Sequence, residues 1–197
     1  MRLPLIPPSE LTLEQRPLYN DMREEIARDF QGFKAIDDSG ALIGPFNVWL
    51  RAPKWGRPIW EFMKAMSIAP TLPRPAREVA ILVTGAHFRA AYEIYAHVLL
   101  AERRGLDDDK LATIVAGQRP SNLTLEEGIA YDVASALVSG HVLPALTYRR
   151  AVATFGETST MELIYLVGAY CFVSVTLNGF DVGVPAEETL DSRTSTH

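Results

Sequence analysis

Two side chains in this sequence are of the right type and at the right spacing to move a proton. Glu93 and His97 stand four residues apart in the run AAYEIYAHVLL. In a helix that spacing brings a carboxylate and an imidazole onto one face. The carboxylate can then fix the ring's tautomer and raise its pKa toward neutral, which is how a general acid/base is assembled. The same pair on an exposed face stabilises a helix by only about 0.2–0.5 kcal/mol, and by itself it favours that plainer role. His87, ten residues before His97, is a further candidate: a second acid, a hydrogen-bond donor to an anionic substrate, or a metal ligand with Glu93 and His97. The spacing H-x5-E-x3-H matches no metal motif, so no metal is expected. Arg77 and Arg89 are carboxylate clamps if they face inward and surface charges if they do not.

Residues 74–106 give two helical patterns. Ala76, Val79, Ala80, Leu82 and Val83 form an apolar stripe behind Pro75, which suits a first helical turn. Gly85 weakens the helix by about 1 kcal/mol relative to Ala, so a break is expected between Gly85 and Arg89. A second stripe, Ala90, Ile94, Val98 and Ala101, stops at Gly105. Glu78 lies early in the first helix, where the macrodipole favours a carboxylate whatever else it does.

Elsewhere, Leu18, Met22, Ile26 and Phe30 recur at helical spacing behind Ser9 or Thr12 as caps. Residues 34–53 carry Asp37-Asp38-Ser39-Gly40, Gly44-Pro45 and Pro53, a density of breakers that predicts a long ordered loop. Within it Asn47, Trp49 and Arg51 alternate with Val48 and Leu50, so they either present polar and aromatic groups to a substrate or serve as core plug and surface charge. Tyr92, next to Glu93, is grouped with them and with Arg89 as substrate-binding candidates. Residues 55–67 read as a helix with Ile59, Phe62, Met63 and Met66 on its apolar side, ended by Pro70 and Pro73. A short helix is expected over 107–117, and Thr124-x2-Glu127 is a capping box for a helix with Ile129, Val133 and Leu137 on one face. The last helices run over 144–155 and 159–178. The second is apolar nearly all round and must be buried on every side, in the core or between subunits. The tail 189–197 is polar and expected to be mobile.

At 197 residues with 48% hydrophobic side chains, one domain with a substantial core is expected. The formal charge is −5 and the basic residues are scattered, which argues against nucleic acid as a partner. Cys171 has no partner for an intramolecular disulfide and lies in an apolar run, where a buried inert thiol is expected. Three prolines interrupt the first ten residues, unlike a signal peptide, and the apolar run 163–175 falls short of the roughly 20 residues that span a bilayer. A cytoplasmic protein with no membrane partner is the expectation. No glycine-rich phosphate loop or nucleotide fingerprint is present, so no cofactor is indicated.

Arg77-Glu78, then Ala90-x2-Glu93-x3-His97, then Ala101 and Gly105-Leu106, resemble the core of the carboxymuconolactone decarboxylase and alkylhydroperoxidase D-like superfamily. The likeness extends to 44–53, 139–143 and 168–185 and covers most of residues 10–186. In the peroxidase branch a Glu stands twelve positions before a Cys-x2-Cys-x3-His motif; here Ala90 and Glu93 occupy the cysteine positions, so the thiol chemistry of that branch is lost. The decarboxylase branch carries a Glu-x3-His, which Glu93 and His97 match. The periodic segments give an all-α bundle of seven or eight helices, and the resemblance implies the alkylhydroperoxidase D-like arrangement, a homo-oligomer, and a cofactor-independent lyase for a small carboxylated lactone. In that reading His97 is the acid, Glu93 orients it, Glu78 belongs to the site, and an Arg or Asn holds the substrate's carboxylate. Two other readings stand beside it: another proton-transfer enzyme, an isomerase or lactone hydrolase, and a binding module with an idle site. A cavity at Glu93 and His97 would favour an enzyme, and a filled core would favour the module.

Overall fold

The computed structural model describes residues 1–29, 31–68 and 70–185; Phe30 and the tail 189–197, both invoked above, lie outside them. Among the described residues there are eight α-helices: α1 (Gln15–Asp29), α2 (Pro45–Arg51), α3 (Pro53–Ile68), α4 (Arg74–Phe88), α5 (Ala91–Arg103), α6 (Asp108–Val115), α7 (Leu125–Val138) and α8 (Ala145–Gly179). No strand accompanies them, only one antiparallel bridge between Ile36 and Leu42. The fold is the all-α bundle expected for an alkylhydroperoxidase D-like chain.

Helix α4 is the hub, packed by α5, α6, α7 and α8. Every residue from Ala76 to Gly85 is buried, so the middle of α4 is enclosed and the expected stripe is only part of its contact surface. Its end follows from backbone geometry: Arg89 takes a left-handed conformation (φ 51°, ψ 40°), and the N–H of Ala90 bonds the Gly85 carbonyl at 3.0 Å. The chain then turns back as α5. There the buried face is Tyr92, Glu93, Ala96, His97, Leu100 and Ala101, about a quarter-turn from the stripe expected from Ile94 and Val98, which are only half-buried.

The predicted long loop contains a helix. Gly44 (φ 67°) turns the chain, Pro45 occupies the first turn of α2, and Pro53 opens α3 almost at once. The breakers read as a loop are the start and stop signals of a seven-residue helix. In α3 the buried residues are Gly56 and Trp60, while Phe62, assigned to the apolar side, is 46% exposed. A Cβ on Gly56 would lie 1.9 Å from the Trp49 carbonyl oxygen, so α2 and α3 meet only because residue 56 is glycine. Gly56→Ala is therefore expected to cost about 1–3 kcal/mol in urea unfolding by overpacking a backbone contact. An unchanged midpoint would show that the two helices separate freely.

Other elements match their sequence signals. Thr12 and Gln15 exchange side-chain and backbone hydrogen bonds ahead of α1, and the Thr124–Glu127 capping box forms at α7. Gly156 (φ 79°, ψ 169°) interrupts α8 between the two helices expected there. Taken whole, α8 is long and apolar enough to cross a bilayer, which the run 163–175 alone is not. It packs instead against α4 and α7, with Leu163, Leu166 and Val167 buried, as the core helix of a folded bundle does. Burial on every side is not realised: Met161, Tyr165, Phe172 and Val175 are each about half exposed.

Two apolar clusters result. One joins α4, α6, α7 and the middle of α8. The other gathers Leu18, Met22, Leu50, Trp60, Tyr92 and Leu177 from α1, α2, α3, α5 and the end of α8. The buried acidic and imidazole groups of α4 and α5 sit where the two meet.

Candidate active site

Glu78, one turn into α4 and fully buried, makes the central contact. Its Oε2 lies 2.9 Å from His97 Nδ1, and its Oε1 is ion-paired with Arg104 at the end of α5. The other ring nitrogen, Nε2, is 3.3 Å from Glu93 Oε1, within ion-pair reach but without hydrogen-bond alignment. The four groups form a line, Arg104, Glu78, His97, Glu93. Glu78, rather than Glu93, fixes the ring, so the orienting role expected of Glu93 passes to a residue nineteen positions upstream. The edge-to-face ring of Tyr170 holds the imidazole from the side, with centroids 5.1 Å apart at 90°.

The electrostatics favour a shared proton. Burial pushes the Glu93 carboxyl up to about 7; the His97 charge works against that rise and the Glu78 charge with it. Burial alone would lower His97, but the nearby Glu78 and Glu93 charges outweigh it, and its pKa lies above the ordinary value. Burial also pushes the Tyr170 phenol up, so it stays neutral. An acid poised near neutrality beside an imidazole suits proton transfer at physiological pH.

Glu93 and His97 line a small cavity of about 40 Å³, walled by Phe33, Phe46, Trp49, Trp60 and Tyr92 among others. The core is therefore not completely filled beside Glu93 and His97. Two buried polar atoms of its wall residues have no hydrogen bond: Glu93 Oε1 and Trp49 Nε1. An unpaired buried N–H costs free energy that a ligand acceptor would recover.

Trp49 and Tyr92 line the cavity, and the Tyr92 hydroxyl donates to the Lys34 carbonyl at 2.9 Å. Asn47 and Arg51 do not line it: both donate to the Pro4 carbonyl and tie the N-terminal segment to α2. The alternation that suggested one shared face does not hold in a helix. His87 and Arg89 are exposed at the end of α4, with His87 against the Phe88 ring, and the fold does not bring them to His97. Arg77 does clamp a carboxylate, that of Glu162 in α8. Among the described residues no three His, Cys, Asp or Glu side chains are placed to share a metal ion. Cys171, expected to be buried, is half-buried, and burial pushes its thiol up. Arg104 and Tyr170 are missing from the sequence-derived set. Arg104 had a signal, since seven residues after His97 it returns to the same face of α5.

No family model matches this chain, and no curated protein sequence matches it. Among solved structures, a Cys-to-Ala variant of the debrominase Bmp8 in complex with 2,3,4-tribromopyrrole superposes with a TM-score of 0.64. The match covers 92% of this chain and 90% of that one at 14% identity, which establishes a shared fold.

Proposed function

We propose that this chain is an acid/base enzyme that moves a proton on a small, planar, largely uncharged ring compound. The observation that carries the reading is Glu93: a buried carboxyl titrating near 7, in contact with an imidazole, on the wall of an aromatic cavity. Glu93 would take a proton from a ring carbon next to a carbonyl-type acceptor, His97 would share it, and the unpaired Trp49 N–H would bond the oxygen on which charge develops. Return of the proton at another position isomerises the ring. The debrominase of the same fold was crystallised with a flat heteroaromatic ring, and a ligand of that size would enter this cavity of about 40 Å³ only as its aromatic walls move apart.

Loss of carbon dioxide from a carboxylated lactone, the narrower reading carried by the family resemblance, needs a cation for the substrate's carboxylate. Among the described residues no Arg or Lys lines the cavity, and Asn47 and Arg51 are engaged with Pro4. Proton transfer is therefore retained and decarboxylation is not. The test is exchange of ring C–H for deuterium in D₂O across a panel of cyclic enones, lactones and pyrroles, followed by NMR. Exchange that Glu93→Gln suppresses supports the reading, and equal exchange by parent and variant overturns it.

Self-association is part of the same proposal. Phe62 of α3 and Tyr165 and Phe172 of α8 border one apolar groove, a surface of the kind that soluble proteins cover by contact with another chain. Light scattering is expected to give a multiple of 21.8 kDa, with Phe172→Lys shifting the mass toward 21.8 kDa. A monomer at every concentration would end this part of the reading.

A further inference from the structure

His97, Ser67 and Tyr170 border a second hollow besides the aromatic cavity, a groove of about 730 Å³ between α1, α3, α4 and α5. Its lining differs in kind. Arg28, Arg74, Arg77 and Arg104 converge on it, with Glu78 the single carboxylate of the wall among the described residues, in a chain whose formal charge is −5. Arg74 and Arg77 are three residues apart and share a face of α4, while Arg104 comes from the end of α5.

The hydrogen bonds within the protein do not use up these donors. A guanidinium carries five N–H groups in a planar fork. Arg77, nearly buried, gives one nitrogen to Glu162 and another to the Met66 carbonyl at 3.0 Å, and Arg104 gives one to Glu78. Arg74 is exposed and has no hydrogen bond or ion pair among the described residues. Two guanidinium groups held in place by carboxylates, next to a third without one, form a preorganised receptor for an anion with several oxygens.

We propose that this groove binds an oxyanion, the phosphate or carboxylate group of a ligand, on Arg74, Arg77 and Arg104, and that occupancy is felt at His97 through the Arg104–Glu78 contact. An anion on Arg104 competes with Glu78 for the guanidinium. Glu78 then holds its negative charge more fully against His97 Nδ1, and the imidazole keeps its proton more firmly. The inference goes beyond the catalytic reading and does not rest on it, because the groove binds whether or not the aromatic cavity turns anything over.

The test titrates inorganic phosphate and, separately, benzoate into the full chain at constant ionic strength while the His97 ring resonances are followed by NMR. A saturable shift is expected with at least one of them and not with chloride. Phosphate alone, or benzoate alone, identifies which oxyanion the ligand carries. Arg74→Ala, at an exposed position, keeps the fold and is expected to weaken the response about tenfold, close to 1.4 kcal/mol. No saturable response to either anion, an equal response to chloride, or an unchanged response in Arg74→Ala overturns the proposal.

Discussion

Glu93→Gln is expected to lower turnover of a ring substrate by about 10²–10⁴-fold, the usual worth of a positioned acid/base group, while the protein stays folded. Stability separates this loss from a folding defect. The Glu93 carboxyl titrates near 7 in the folded protein, above its ordinary 4.5. Between those values the folded chain keeps a proton that the unfolded chain gives up, so rising pH favours unfolding across that window. At 1.36 kcal/mol per unit, the parent loses about 3 kcal/mol by pH 7 from this group. His97 acts in the same direction: its pKa is raised on folding, so its contribution is full below 6.5 and fades as pH climbs past the folded value. Glutamine is neutral at every pH and escapes the Glu93 part. The variant should therefore match the parent near pH 4.5 and exceed it by about 1–3 kcal/mol at pH 8 in urea unfolding, the lower figure allowing for the support that the Glu93 charge gives to protonated His97. An inactive variant that is less stable at pH 8 would mean that Glu93 is an ionised structural partner. A fully active one would remove it from the chemistry. His97→Ala should lose a similar share of turnover but is the less discriminating change, because it also strips Glu78 of a buried partner.

Much of the frame was legible because its signals are local. The Thr124–Glu127 box, Gly105 after α5 and the break between Gly85 and Arg89 each depend on a few neighbouring residues, and each recurs in the structure. Helix α2 is hidden in the sequence for the same reason: Gly44-Pro45 and Pro53 punctuate a helix as readily as a loop, and seven residues are too few for periodicity to decide. The stripe of α5 was drawn from aliphatic residues. Its true inner face carries Glu93 and His97, polar groups whose burial is visible only once Glu78 and Arg104 are placed against them. The aromatic cavity is non-local throughout, with Phe33, Trp49, Trp60 and Tyr92 arriving from four separate segments. No spacing rule connects them.

The largest stability effect is expected at Glu78. It touches both Arg104 and His97, and it is fully buried. Glu78→Ala should cost about 3–5 kcal/mol, the usual result of removing one partner from a buried ion pair. Some of that is recoverable, since Arg104 is 28% exposed and can turn its guanidinium toward solvent, whereas His97 cannot leave the bundle. Glu78→Gln separates charge from shape. Its side-chain oxygen can still accept from His97 Nδ1, so the ring keeps its orientation, but the charge that raises the His97 pKa most is gone while burial continues to lower it. In this variant His97 should titrate below its parent value by NMR, and any pH–rate profile that depends on it should move to lower pH with it. If Glu78→Ala unfolds within about 0.5 kcal/mol of the parent and His97 titrates unchanged in Glu78→Gln, the carboxylate is not held against the ring in solution. The line from Arg104 to Glu93 would then no longer describe the working site.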